Sequence, residues 1–214
     1  MKSEIEKIEK RPIQYWYEDG LNELAFGVIG LCLSVYFWIH TRIPPGSAWH
    51  IPWAIGMFPL LFFGSRFLNG IIKTLKQKWT YPRTGFVSYR RPGGKRIKFS
   101  ILGVFVGGAT VIAYGALRSD VFPEQIALTS LPLVTGLILA GAFIWIGMKT
   151  GVFRFFVTAI ISAAAGIALS LAGFAEMAAL GTYWAILGAS HCVSGGFVLL
   201  RYLRRHPAPG VDPS

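Results

Sequence analysis

The stretch Ile126–Met148, IALTSLPLVTGLILAGAFIWIGM, runs for 23 residues without a charged side chain. Wound as a helix at 1.5 Å per residue it is about 35 Å long, enough to cross the roughly 30 Å hydrocarbon core of a bilayer. Lipid offers backbone N–H and C=O groups no water partners, so a run of this kind closes its hydrogen bonds within itself as a helix. Its unbroken apolarity also differs from the in-out alternation of a transmembrane barrel strand.

Working outward, five further runs of similar character lie at Leu21–His40, Ile51–Ile72, Phe99–Leu117, Val152–Gly173 and Met177–Leu203. The fold class they predict is an all-α polytopic membrane bundle of about six transmembrane helices. Composition agrees: 53% of the 214 residues are hydrophobic, only 14% are charged, and the mean hydropathy is +0.51. A soluble domain of this size carries more charge. The division that follows is an N-terminal interfacial segment (1–20), spans 1 and 2 (21–72), a basic linker (73–98), spans 3 to 6 (99–203) and a tail (204–214).

Charge placement tests the count independently, because Lys and Arg in short loops favour the cytoplasmic side. With six spans and both termini cytoplasmic, Arg42 and Arg118 are the only two of the 21 Lys and Arg residues left on the outer side. Five or seven spans would break that alternation. The first apolar run is too long for a removed signal peptide and lacks a small-residue cleavage site. Cys32 and Cys192 lie inside predicted spans, where neither a disulfide framework nor a zinc site can be read.

The linker is the most distinctive stretch. It carries nine basic residues, Lys73, Lys76, Lys78, Arg83, Arg90, Arg91, Lys95, Arg96 and Lys98, and no acid; none occurs between Glu23 and Asp120. Residues 85–91 and 95–99 flank Pro92-Gly93-Gly94, a pattern for a small β-hairpin. Basic side chains interleaved with Trp79, Tyr81, Phe86 and Tyr89 suit anionic lipid, or serve as a positive-inside signal alone. No nucleic-acid-binding motif surrounds them. A short helix is also expected at Ser3–Lys10, ended by Pro12.

Candidate functional residues are few. Asp19 and Glu23 open span 1, where acids complement the positive end of a helix; Glu23, the deeper, is also a candidate for a proton or cation site. Arg66 lies near the inner end of span 2, where snorkelling toward headgroups is the default. Pro59 and Pro132 interrupt hydrogen bonding in spans 2 and 4. His191, in Ser190-His191-Cys192, stands near mid-membrane; the structural expectation is a hydrogen bond to a neighbouring helix, the functional alternative a partnership with Glu23, Glu176 or Tyr183. Small residues at helix-contact spacing, Gly136 with Ala140, Ser162 with Gly166 and Ser170, and Gly188 with Cys192, predict close helix approach and equally suit a homo-oligomer.

Tyr17-Glu18-Asp19-Gly20-Leu21-Asn22-Glu23-Leu24 and Tyr81-Pro82-Arg83-Thr84-Gly85-Phe86-Val87 resemble motifs of small polytopic bacterial membrane proteins of unknown function. The resemblance implies a bacterial inner-membrane setting and no activity, and marks Asp19, Gly20, Glu23, Pro82, Arg83 and Gly85. Opposite charges at one face suggest that Asp19 or Glu23 pairs with Arg83.

No catalytic, metal or cofactor motif is assembled, and a lone mid-span His offers haem a single axial ligand. The expected function is non-enzymatic, the basic face engaging anionic lipid or a partner membrane subunit. A small-solute transporter or channel is the alternative. An intramembrane enzyme comes third, because the in-span acids and His are isolated rather than paired.

Overall fold

A computed structural model describes residues 17–44, 47–84, 124–174 and 176–207. These residues are predominantly helical, with short turns between the helices and no strand among them. The helices are α1 (Leu21–His40), α2 (His50–Leu75), a π-helical turn (Lys76–Thr80), α3 (Tyr81–Thr84), α4 (Glu124–Thr150), α5 (Arg154–Leu171) and α6 (Glu176–Arg205). Four stretches are long and apolar enough to cross a membrane: Leu21–His40, Leu131–Thr150, Arg154–Leu171 and Met177–Arg205. They correspond to the first, fourth, fifth and sixth expected spans. Helix α2 covers the second; the third, 99–117, the hairpin at 85–99 and the N-terminal helix at 3–10 lie outside the described residues.

The first span starts where the sequence stops it from starting earlier. Asp19 Oδ1 accepts the N–H of Leu21 at 3.2 Å, a local turn bond that supplies one of the orphan donors of the helix start. Between them Gly20 sits at φ 72°, a left-handed conformation that glycine adopts without cost. A Cβ at Gly20 would also lie 2.5 Å from the carbonyl oxygen of Gly195 on α6.

Helices α1 and α6 form the main seam. A Cβ on Gly30 would meet the Cα of Gly188 at 2.8 Å, and one on Gly195 would meet the Leu24 nitrogen at 2.7 Å. Backbones approach this closely because dispersion and weak polar contacts, rather than the hydrophobic effect, bind helices in lipid. The second seam joins α4 to α5, where a Cβ on Gly166 would lie 2.6 Å from the carbonyl of Pro132. Pro132 has no N–H to give. At the next residue, Leu133 donates its N–H to Ser170 Oγ on α5 at 3.0 Å, so α5 compensates the disturbed helix.

The two seams are tied by a buried relay. Ser162 Oγ donates to the Gly136 carbonyl at 2.9 Å and lies 2.6 Å from Tyr183 Oη. Since the serine has one proton, and it is spent on Gly136, the tyrosine donates to the serine. That contact fixes α6 against the α4–α5 pair. Around it Ala140, Phe143, Ile146, Phe155, Ala159, Leu169 and Leu187 form the core, with Tyr17 edge-on to Phe155 at 5.3 Å.

Candidate ionic site at the basic end

The N-terminus of α1, the C-termini of α2 and α6 and the N-terminus of α5 converge at one end of the bundle. There the sequence places two acids that hydropathy alone would leave at a loose helix start; the structure turns both inward. Asp19 and Glu23 are each 2% exposed, as is Lys76.

Two ion pairs result. Asp19 Oδ2 lies 2.9 Å from Lys76 Nζ and accepts a longer bond, 3.4 Å, from Thr80 Oγ1. Lys76 and Thr80 are the first and last residues of the π-helical turn. π-Turns are rare and frequently mark functional sites. Side chains four apart on a helix share a face, so Lys76 and Thr80 reach one carboxylate together.

Glu23 makes the second pair. Its Oε2 accepts from Ser194 Oγ on α6 at 2.9 Å, and its Oε1 lies 2.9 Å from Arg154 Nη2 on α5. Arg154 Nη2 directs its hydrogen bond to the Tyr17 carbonyl, also at 2.9 Å. The contact with Oε1 is therefore coulombic rather than an aligned hydrogen bond, and Glu23 Oε1 and Arg154 Nε are left without a hydrogen-bond partner among the described residues. The Arg154 side chain stays 30% exposed, so the cluster is not sealed from the outside.

Arg83 belongs to neither pair. Its Nη1 donates to the carbonyls of Leu203 at 3.0 Å and His206 at 2.9 Å, the free acceptors at the end of α6. The expected pairing of Arg83 with Asp19 or Glu23 is thus corrected: Lys76 and Arg154 are nearer in the folded chain, and a helix C-terminus attracts the guanidinium equally well. Lys76 requires a second correction. Expected among the bases that engage lipid or a partner, it is buried in an ion pair with Asp19.

The other named residues scatter. Lys73 and Lys78 are exposed, while Arg90, Arg91, Lys95, Arg96 and Lys98 lie outside the described residues. Arg66 is exposed on α2, where it borders a shallow groove with Phe67, Gly70, Ile71, Thr74 and Leu75. His191 is 3% exposed between the rings of Phe26, at 6.0 Å, and Phe143, at 5.2 Å. The hydrogen bond expected of it is missing: neither ring nitrogen has a partner among the described residues. Tyr183 Oη is bonded to Ser162 and Glu23 Oε2 to Ser194, and neither residue hydrogen-bonds His191.

Arg154, Ser194 and Thr80 were not singled out by the sequence reading. Arg154 did carry a signal, as a cation two residues inside an apolar run; Ser194 and Thr80 did not, since hydroxyls are ordinary in membrane helices. Among the described residues no group of three His, Cys, Asp or Glu is gathered as a metal site. No family model, curated protein or solved structure matches the chain.

Proposed function

We propose that the chain is a non-enzymatic, six-span protein of the bacterial inner membrane, with both termini cytoplasmic, whose basic end holds anionic lipid headgroups. One observation carries this reading. Lys73, Lys78, Lys149, Arg201, Arg204 and Arg205 are all exposed at the end of the bundle where Asp19 and Glu23 are buried and paired internally. Internal pairing of Asp19 and Glu23 leaves Glu18 as the exposed described acid at this end, and the outer bases available to ligands from outside. Arg42 is the only Lys or Arg among the described residues at the opposite end.

Physical magnitudes favour lipid. A Lys or Arg near an anionic membrane surface contributes about 1 kcal/mol, and several act together within a Debye length of about 8 Å. The aromatic side chains of Trp79 and Phe153 are exposed at the same end, the level at which headgroups meet acyl chains. The sidedness follows from the positive-inside rule applied to all six expected spans.

Native mass spectrometry from lipid nanodiscs containing equal phosphatidylcholine and phosphatidylglycerol tests the reading. The protein is expected to retain phosphatidylglycerol selectively, and the combined Lys73→Gln, Lys78→Gln, Arg204→Gln, Arg205→Gln variant to lose that selectivity. Equal retention of both lipids by the unmodified protein would reject lipid binding. Protein of a second kind bound in fixed ratio after release from native membranes would point instead to a partner subunit.

A further inference from the structure

The described residues contain four buried side-chain nitrogen or oxygen atoms without a hydrogen-bond partner: Glu23 Oε1, Arg154 Nε, and both ring nitrogens of His191. They cluster. Glu23 and Arg154 are in direct contact, Ser194 on α6 holds the other Glu23 oxygen, and His191 is three residues, one helical turn, before Ser194 on the same helix. On α1, Phe26 is three residues after Glu23, and its ring lies 6.0 Å from that of His191, tilted by 35°. The carboxylate and the imidazole therefore occupy successive turns of the same α1–α6 seam.

Among the described residues a neutral imidazole in this position keeps one donor and one acceptor unmet, and burying them unpaired is costly. Phe at the same position would fill the space between Phe26 and Phe143 without that cost. Packing alone does not explain a histidine here, and intramembrane ionisable groups are expensive enough that function is the default reading. We propose that His191 and Glu23 form a proton-binding site inside the bundle, entered from the basic end alongside Arg154. The proton passes from a hydronium ion to a free ring nitrogen of His191, one N–H bond forming as one O–H bond of the donor breaks, with the Glu23–Arg154 pair one turn away along the seam.

The surroundings leave few other groups to take that role. On α1 the acids are Glu23 and, one turn further out, Asp19, which Lys76 of the π turn neutralises. On α5 the facing cation is Arg154. Helix α4 presents Phe143, and its only charged side chain from Leu131 onward is Lys149, exposed at its end. On α6 itself, Cys192 adjoins Gly27, and Tyr183 is bonded to Ser162. The inference stands independently of the lipid reading, since it concerns the seam and not the outer bases.

Histidine-selective 15N NMR of the full chain in nanodiscs, titrated from about pH 4 to 9, tests it. The chain has four histidines, and the spectrum of His191→Phe assigns the signal in question. His191 is expected to convert reversibly between neutral and cationic forms within that range. Two charge changes are expected to move its midpoint in opposite directions: Glu23→Gln lowers its proton affinity roughly tenfold and Arg154→Gln raises it by a similar factor, as unit charges one to two turns away should. General loosening of the helices would shift both the same way. Should Glu23→Gln fail to fold, the half-exposed Arg154 still provides the deciding variant. A His191 that stays neutral across the range, or a midpoint that Arg154→Gln leaves unmoved or lowers, overturns the proposal.

Discussion

Asp19 and Lys76 show how a pair of residues can decide the anchoring of a whole segment. Each buried charge costs several kcal/mol to desolvate, and the pair is tolerable because the carboxylate also takes the Leu21 N–H and the Thr80 hydroxyl. Removing one partner leaves the other buried and uncompensated. Lys76→Met is therefore expected to destabilise the protein by about 3–5 kcal/mol, measured by denaturation in detergent. Adding Asp19→Asn to it should recover part of that loss; a double variant as unstable as the sum of the singles would show that the two residues do not act through each other. At this scale the sequence was only partly legible. That Asp19 and Glu23 mattered could be read from their place at the mouth of an apolar run. Which cations they meet could not, because pairing depends on how four helix ends are rotated about one another, and Lys76 is separated from Asp19 by 57 positions of chain that hydropathy treats as independent.

Among the elements, α6 is the longest and the most dependent on its ends and its glycines. Arg83 binds two of its terminal carbonyls, and charge-assisted bonds of this sort are worth about 1.5–3 kcal/mol. Arg83→Gln is expected to fray the last turn, seen as faster amide hydrogen exchange over 201–207 with the rest of α6 unchanged. At the other extreme, a Cβ on Gly188 would lie 2.7 Å from the Leu31 nitrogen, which is backbone and cannot rotate aside. Gly188→Val should force α1 and α6 apart and cost about 1–3 kcal/mol or more, read as a lower melting temperature. A variant as stable as the parent would mean that the two helices do not meet there. Boundaries of the apolar helices were well legible: α1 runs over Leu21–His40 as expected, and α5 and α6 begin and end within two residues of their expected spans. The end of α2 was not. The helix continues past Ile72 to Leu75 and into the π turn, since Lys and Gln are good helix formers and hydropathy stops reporting helix once the chain leaves the apolar zone. The glycines of α1 at 27 and 30 are likewise not legible in the sequence, because their value appears only when α6 is laid against them.

The described residues form a bundle with one strongly basic end, where Asp19 and Glu23 are folded inward, Glu18 is exposed, and the outer bases are unpaired by the described carboxylates. The proposed lipid selectivity rests on what remains outside, and the proposed proton site on what is enclosed in the α1–α6 seam. The most direct test is the sidedness of the two ends. With Cys32 and Cys192 replaced by Ala, single cysteines are introduced as Arg42→Cys, Lys78→Cys and Arg204→Cys, and each is exposed to a membrane-impermeant maleimide in intact cells and again after permeabilisation. Position 42 should label in intact cells, and positions 78 and 204 only after permeabilisation. Labelling of 42 and 78 from the same side would mean that α2 does not cross the membrane, and labelling of 78 and 204 from outside would place the basic end away from the cytoplasm and contradict the account.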